Sequence, residues 1–376
     1  MDLELTDEQR WLSESIDTLL AREWTPPETA ARSDVERRRR VWQQLVDFGA
    51  LSVGDSDGIG AVEACLIAHS LGRYLAATPF LASAALRLAL APFASELPAD
   101  LLALLANGDA VALGLLEPGG SWSSEPRTEL SERGDGFVLA GEKVAVEQLD
   151  PAHVLGVVSA LDARPALALL DAAAPGALVA SRASFDASLP MSAVSFVDVP
   201  VRASSVLVGV TARGALERLN TAGGLLAAAE AVGAAQQILE AACRYAAERR
   251  QFGRRIAGFQ ALRHLLADMH VRCASGWSSV LYAAAAFDDD AEDALEAASV
   301  AKAYVSRAAR EVAHGSMQVF GGIAFTEEHP AHRFLRRIIV REQQFGDAAH
   351  HERALGRALA QSALAPAGEP AGAASA

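Results

Sequence analysis

The chain has 376 residues, 51% hydrophobic but only 6% aromatic, so its apolar content is chiefly Ala, Leu and Val, the composition of closely packed helices. A net charge of -14 and a pI near 5.1 exclude nucleic acid as a partner, because its phosphates require a basic face. The start, MDLELTDEQRWL, lacks a basic and apolar-cored leader, and no apolar run is long enough to span a bilayer. The chain is therefore expected to be cytoplasmic, with no membrane span.

Thr6 with Gln9 three residues later forms a capping box, which predicts a helix from about Asp7. Apolar residues at three- and four-residue spacing continue the helices through Val41 to Phe48, Ala61 to Tyr74, Phe80 to Leu90 and Ala99 to Ala106. Residues 1–109 thus read as an N-terminal helical domain. Within it, Arg37-Arg38-Arg39-Arg40 reads as a solvated helix face. Cys65, Cys243 and Cys273 have no metal-ligand spacing and read as small core residues.

From 110 to 210 the period changes. Val- and Leu-rich runs at Val111 to Leu116, Phe137 to Ala140, Lys143 to Val146, Val154 to Ser159, Ala166 to Leu170 and Val194 to Val199 predict a small antiparallel sheet or barrel. Helical spacing returns over 211–364. Helices are predicted through Leu225 to Ala246 and over Gln260 to Asp288, Glu292 to Phe320 and His350 to Leu364, a four-helix bundle. The Asp288-Asp289-Asp290 run is placed to favour the positive end of the following helix. Residues 365–376 read as a disordered tail. No P-loop or GxGxxG follows a strand, so the fold class is α+β without a Rossmann domain.

Between two long helices lies Glu248-Arg249-Arg250-Gln251-Phe252-Gly253, a basic elbow. An Arg there offers a planar fork suited to a pyrophosphate, and an aromatic ring three residues on can lie against a nucleotide.

With these pieces in order, the chain resembles the acyl-CoA dehydrogenase family over nearly its whole length. The motifs are Tyr245 through Met269, with R-x-x-F-G, F-Q and L-A-D-M; Gln318-Val319-Phe320-Gly321-Gly322 followed by Glu328-His329-Pro330 and Arg333; and the Glu117-Pro118-Gly119 turn. The resemblance implies an N-terminal helical domain, a middle β-domain and a C-terminal bundle. It also implies FAD at a dimer interface within a tetramer, an acyl-CoA substrate dehydrogenated at its α,β bond, and an electron-transfer acceptor. It further implies that Arg249, Phe252, Gln318, Gly321 and Gly322 reach the FAD of the adjacent subunit.

Departures from the family pattern are as informative. Where the family holds its own flavin ring with a hydroxyl before the E-P-G turn and an aromatic-x-[Thr/Ser] pair, this chain has Leu116, Ala145 and Glu147. The base falls on Phe345 or Gly346 in one family location and on Gly223-Gly224 in the other, so neither supplies a carboxylate. Asp347 and Glu230 are the nearby substitutes. Asp347 equally suits a helix N-cap, and Glu230 a packed or solvent-facing helix position.

The leading expectation is one subunit of a heteromeric, α2β2 acyl-CoA dehydrogenase whose base comes from a paralogous chain. Family members of this kind act on steroid side-chain CoA thioesters in actinobacteria. The alternatives are a self-sufficient homotetramer using Asp347 and a non-catalytic scaffold of the same fold.

Overall fold

The computed structural model describes residues 4–24, 35–52, 58–105, 109–122, 125–150 and 152–364. The expected tail at 365–376 lies outside them. Thr6 and Gln9 close the capping box, with Gln9 N–H on Thr6 Oγ1 at 3.2 Å and Thr6 N–H on Gln9 Oε1 at 3.0 Å. They open α1 (Asp7–Glu23), followed by α2 (Val35–Asp47), α3 (Ala61–Tyr74), α4 (Phe80–Leu90) and α5 (Ala99–Leu105). Arg38 of α2 is buried, contrary to the solvated-face reading, because its position coincides with the stripe of Val41, Trp42 and Leu45 that packs inward.

The strands are β1 (Val111–Gly114), β2 (Glu129–Arg133), β3 (Gly136–Glu147), β4 (Val154–Leu161), β5 (Arg164–Asp171), β6 (Ala177–Arg182), β7 (Met191–Arg202) and β8 (Val206–Val208). They form one sheet in the order β6-β7-β3-β2-β4-β5-β8, with β1 also on β4. The sheet is mixed rather than antiparallel, since β1 and β2 both run parallel to β4. Alternating hydrophobicity encodes which face is buried but not strand direction.

A 40-residue helix, α6 (Gly209–Glu248), then crosses the molecule. A small hairpin of β9 (Arg250–Gln251) and β10 (Arg254–Arg255) leads into α7 (Gln260–Asp288) and α8 (Ala294–Phe320). The bundle is completed by α9 (Ala331–Gln343), a helix additional to the four expected, and α10 (Ala348–Leu364). Asp288 caps α3 rather than the next helix, accepting from the N–H groups of Ala61 at 2.6 Å and Val62 at 3.1 Å. Cys65 and Cys273 are buried, whereas Cys243 is exposed on the outward side of α6.

The main apolar core runs unbroken from the N-terminal helices into the bundle, and the sheet holds a second core. The join is tight where α3 crosses α6. A Cβ on Gly72 would lie 2.0 Å from the Glu230 carbonyl oxygen, and one on Gly233 would lie 2.0 Å from that of His69. Only glycine permits that approach. No described helix is long and apolar enough to cross a membrane.

Candidate functional site: a filled pocket and a bare arm

The departures noted in the sequence converge on one cavity. Leu116, just beyond β1, bridges to Val144 of β3. Ala145 occupies the bulge that shifts register between Lys143 and Val146, with φ 54°, and Glu147 ends the strand. With Phe345 and Trp122 these residues line a cavity of only ≈ 50 Å³. Small-molecule sites occupy about 300–1,000 Å³, so the space suits a few water molecules and not a flavin ring. Thr78 Oγ1 and the Gln148 amide line the same cavity, buried and without a hydrogen-bond partner among the described residues.

The filling is built locally. Glu117, at the E-P-G turn, accepts from the N–H of Arg127 at 2.9 Å, from Thr128 N–H and Oγ1 at 2.8 Å, and from the fully buried Lys143 Nζ at 2.8 Å. Burial opposes its ionisation, but Lys143 and these donors outweigh it and hold the carboxyl at about 2. The loop pinned in this way leads to Trp122, whose Nε1–H donates to the Gln343 carbonyl at 2.7 Å. Its ring stacks on Phe345, with centroids 5.4 Å apart. Phe345 is buried against α6, where a Cβ on Gly223 would come within 2.2 Å of its ring. Gly223 therefore makes room for a side chain of its own protein.

Beside the cavity lies a chain of buried ion pairs. Arg337 of α9 reaches Asp186, in the loop between β6 and β7, at 2.6 Å and Glu230 of α6 at 2.8 Å. Arg341, one turn on, meets Glu230 at 2.9 Å and Glu147 at 2.5 Å. The Arg341 Nε contact to Glu230 lacks hydrogen-bond alignment, so charge rather than a directed bond carries it. Arg337 also donates to the carbonyls of Leu75 and Ala76 after α3, and to Ser188 Oγ. Burial disfavours the charged carboxylates of Glu147 and Asp186, yet the adjacent guanidiniums prevail and hold both below the usual range.

Neither substitute base lies free over the cavity. Glu230 is the middle link of the ion-pair chain. Asp347 Oδ1 accepts the His350 N–H at 2.7 Å, an N-cap for α10. The turn from α9 to α10 is anchored by Lys302, whose Nζ donates to the carbonyls of Arg341 at 2.6 Å and Glu342 at 3.0 Å at the end of α9. Burial brings that lysine down to about 7.

The basic elbow presents the opposite picture. Arg249, Phe252 and Gln318 are exposed, and Arg249 has no side-chain partner among the described residues. Phe252 and Gly253 form the two-residue turn between β9 and β10 with φ 52° and 77°, the positive pair a tight hairpin needs. This leaves the Phe252 ring 90% exposed, touching Phe259 only edge-on. Arg254 lies over the Phe259 ring at 4.0 Å and stiffens the base of the arm. The second motif is brought to the same end of the bundle, because Tyr245, one turn before Arg249, packs edge-on against Phe320 with centroids 5.3 Å apart. Gly321 turns the chain there with φ 70° and ψ −145°, a conformation essentially reserved for glycine, and Gly322 faces open space.

Sequence reasoning missed Arg337, Arg341, Asp186 and Trp122. A four-residue spacing joined the two arginines, but their partners come from three distant elements. Residues 213–360 match the acyl-CoA dehydrogenase C-terminal domain family. Acyl-CoA dehydrogenase FadE27 of Mycobacterium tuberculosis is 28% identical, with 96% of this chain and 99% of that protein covered. The structure is similar to the ChsE4-ChsE5 complex from Mycobacterium tuberculosis, with TM-score 0.84, 26% identity, and 96% and 99% of the two chains covered. It is also similar to the Tcur3481-Tcur3483 steroid ACAD, with TM-score 0.83, 27% identity, and 95% and 99% covered. By its C-terminal sequence, by relatives matched over nearly their whole length and by a shared fold, this chain is similar to acyl-CoA dehydrogenases.

Proposed function

We propose that this chain is one subunit of a heteromeric, FAD-dependent acyl-CoA dehydrogenase, in which it completes the FAD site of a paralogous partner that supplies the base. The observation that carries this reading is the contrast between a cavity of ≈ 50 Å³ where a flavin ring would sit and an uncovered arm bearing Arg249 and Phe252. Bound FAD supplies the hydride acceptor for α,β-dehydrogenation. For its part, Arg249 neutralises a pyrophosphate through two parallel N–H donors, and Phe252 offers an apolar face to an adenosine. Gln318 hydrogen-bonds, and the paired glycines allow backbone amides to come close. A steroid side-chain CoA thioester is the substrate class that the steroid ACAD neighbour favours, and an α2β2 assembly accords with the two-component complexes among the neighbours.

Co-expression with the paralogue, followed by a flavin count and a turnover assay, tests this. The expected result is about one FAD per pair of unlike chains and no turnover from this chain alone. Replacing Arg249 by Ala in the complex should weaken FAD binding by roughly ten- to a hundredfold, the worth of a charge-assisted hydrogen bond. Full flavin occupancy and turnover in the lone protein would reject the proposal.

A further inference from the structure

We propose that the ion-pair chain Asp186–Arg337–Glu230–Arg341–Glu147, capped by the Trp122–Phe345 stack, permanently replaces a cofactor in this chain's own pocket, shutting flavin out and fastening sheet, α6 and α9 together. The inference holds whether or not the arm serves a partner, since it concerns groups that the arm does not touch.

Three observations lead to it. The links belong to separate parts of the fold: Glu147 ends β3, Asp186 lies between β6 and β7, Glu230 is on α6, and both arginines are on α9. Arg337 extends the connection to the carbonyls after α3. The charges span these parts directly, and Glu147 at one end of the chain lines the cavity.

Next, each guanidinium lies between two carboxylates. Three carboxylates alternate with two guanidiniums, all at most 12% exposed at the side chain. Removing either guanidinium leaves two buried carboxylates without the positive charge between them, which is far costlier than losing an exposed pair. Gln344 joins the end of the chain, donating to Glu147 at 2.7 Å and accepting from Arg341. The residue directly before Phe345 is thus tied to the charges, so the aromatic plug and the ionic brace form one unit.

Finally, the ionised Glu147 faces the cavity. An electron-accepting ring placed there would gain negative charge beside a carboxylate, an arrangement opposed by electrostatics as well as by space. Restoring a small hydroxyl at this position would therefore not recreate a flavin site. It would also remove one of the two carboxylates that Arg341 meets.

The test uses the full-length chain without a partner, in an Arg249→Ala background so that the arm contributes nothing. Melting temperature and flavin fluorescence are read with and without excess FAD. The expected result is no FAD-dependent shift. Glu147→Thr should lower the melting temperature by at least about 5 °C and still bind no flavin. The double variant Glu147→Gln with Arg341→Met should lose less than the sum of its two single variants, the sign of a direct charge coupling. Should Glu147→Thr not fold, Glu147→Gln supplies the same comparison with the hydrogen-bonding shape kept. An FAD-dependent rise in the Arg249→Ala background, flavin retained by Glu147→Thr, or strictly additive losses would each overturn the inference. None of these depends on the flavin content of the heteromer, so this proposal and the subunit assignment can fail separately.

Discussion

Two Phe-Gly pairs in this chain share one backbone geometry and differ in everything else. Phe345-Gly346 has φ values of 56° and 98°, and Phe252-Gly253 has 52° and 77°. A phenylalanine in the left-handed region is uncommon, costing about 1–2 kcal/mol wherever it occurs. Phe345 is 5% exposed and recovers that cost through the apolar surface it buries and the contact with Trp122. Phe252 is 90% exposed and recovers little of it within the chain, touching only Phe259 edge-on. At Phe345 packing holds the conformation, whereas at Phe252 the hairpin pairing holds the backbone and leaves the ring outward.

The comparison can be broken most directly at these two rings. Phe345→Ala should cost about 3–5 kcal/mol of stability in a denaturant melt, the range for truncating a buried Phe. Phe252→Ala should stay within about 0.5 kcal/mol of the parent while reducing FAD in the heteromer. Equal losses at both positions would show that the exposed ring is structural after all.

Acid should separate the regions next. Glu117, Glu147 and Asp186 all have folded values below their ordinary ones. The unfolded chain therefore binds protons first as pH falls, and the stability these groups contribute is complete above about pH 4.3. For Glu117 it is lost between there and about 2, a loss of at most about 3 kcal/mol. Denaturant melts at pH 7, 4 and 3 should show the loss, and Glu117→Gln should flatten the profile. A profile unchanged by that substitution would count against the pinned loop.

A smaller loss than at Phe345 or Glu117 is expected at Asp347. As an N-cap its replacement by Ala should cost about 1 kcal/mol and leave the heteromer's turnover unchanged. A collapse of turnover with stability intact would revive it as a base.

Legibility in the sequence followed the range of the interactions involved. α3, α4 and α7 begin and end where the three- and four-residue spacing begins and ends, because that period is a local property of the chain. α9 was missed because Arg337 and Arg341 fall on its inward stripe with Phe334 and Ile338, so that a buried face reads as polar. Their neutralisation comes from residues 107 to 194 positions away, which no local window contains. β2 escaped notice for a similar reason, since only Leu130 of its five residues is buried. The loss of a hydroxyl, a ring and a carboxylate at Leu116, Ala145 and Phe345 was visible as an erosion. That Trp122 and Phe345 stack over this cavity and that Glu147 pairs with Arg341 beside it was not, because such contacts are a matter of shape and pairing in three dimensions.

The glycine contacts between α3 and α6 carry a further consequence. Gly72 lies directly against the backbone of Glu230, so the position of that carboxylate is referenced to the N-terminal helices with no intervening side chain to absorb error. A single methyl at Gly72 or Gly233 would wedge the helices apart and misalign the brace. Natural variants at these two positions should therefore behave as severe loss-of-function alleles whose lesion lies in assembly of the protein rather than in its chemistry.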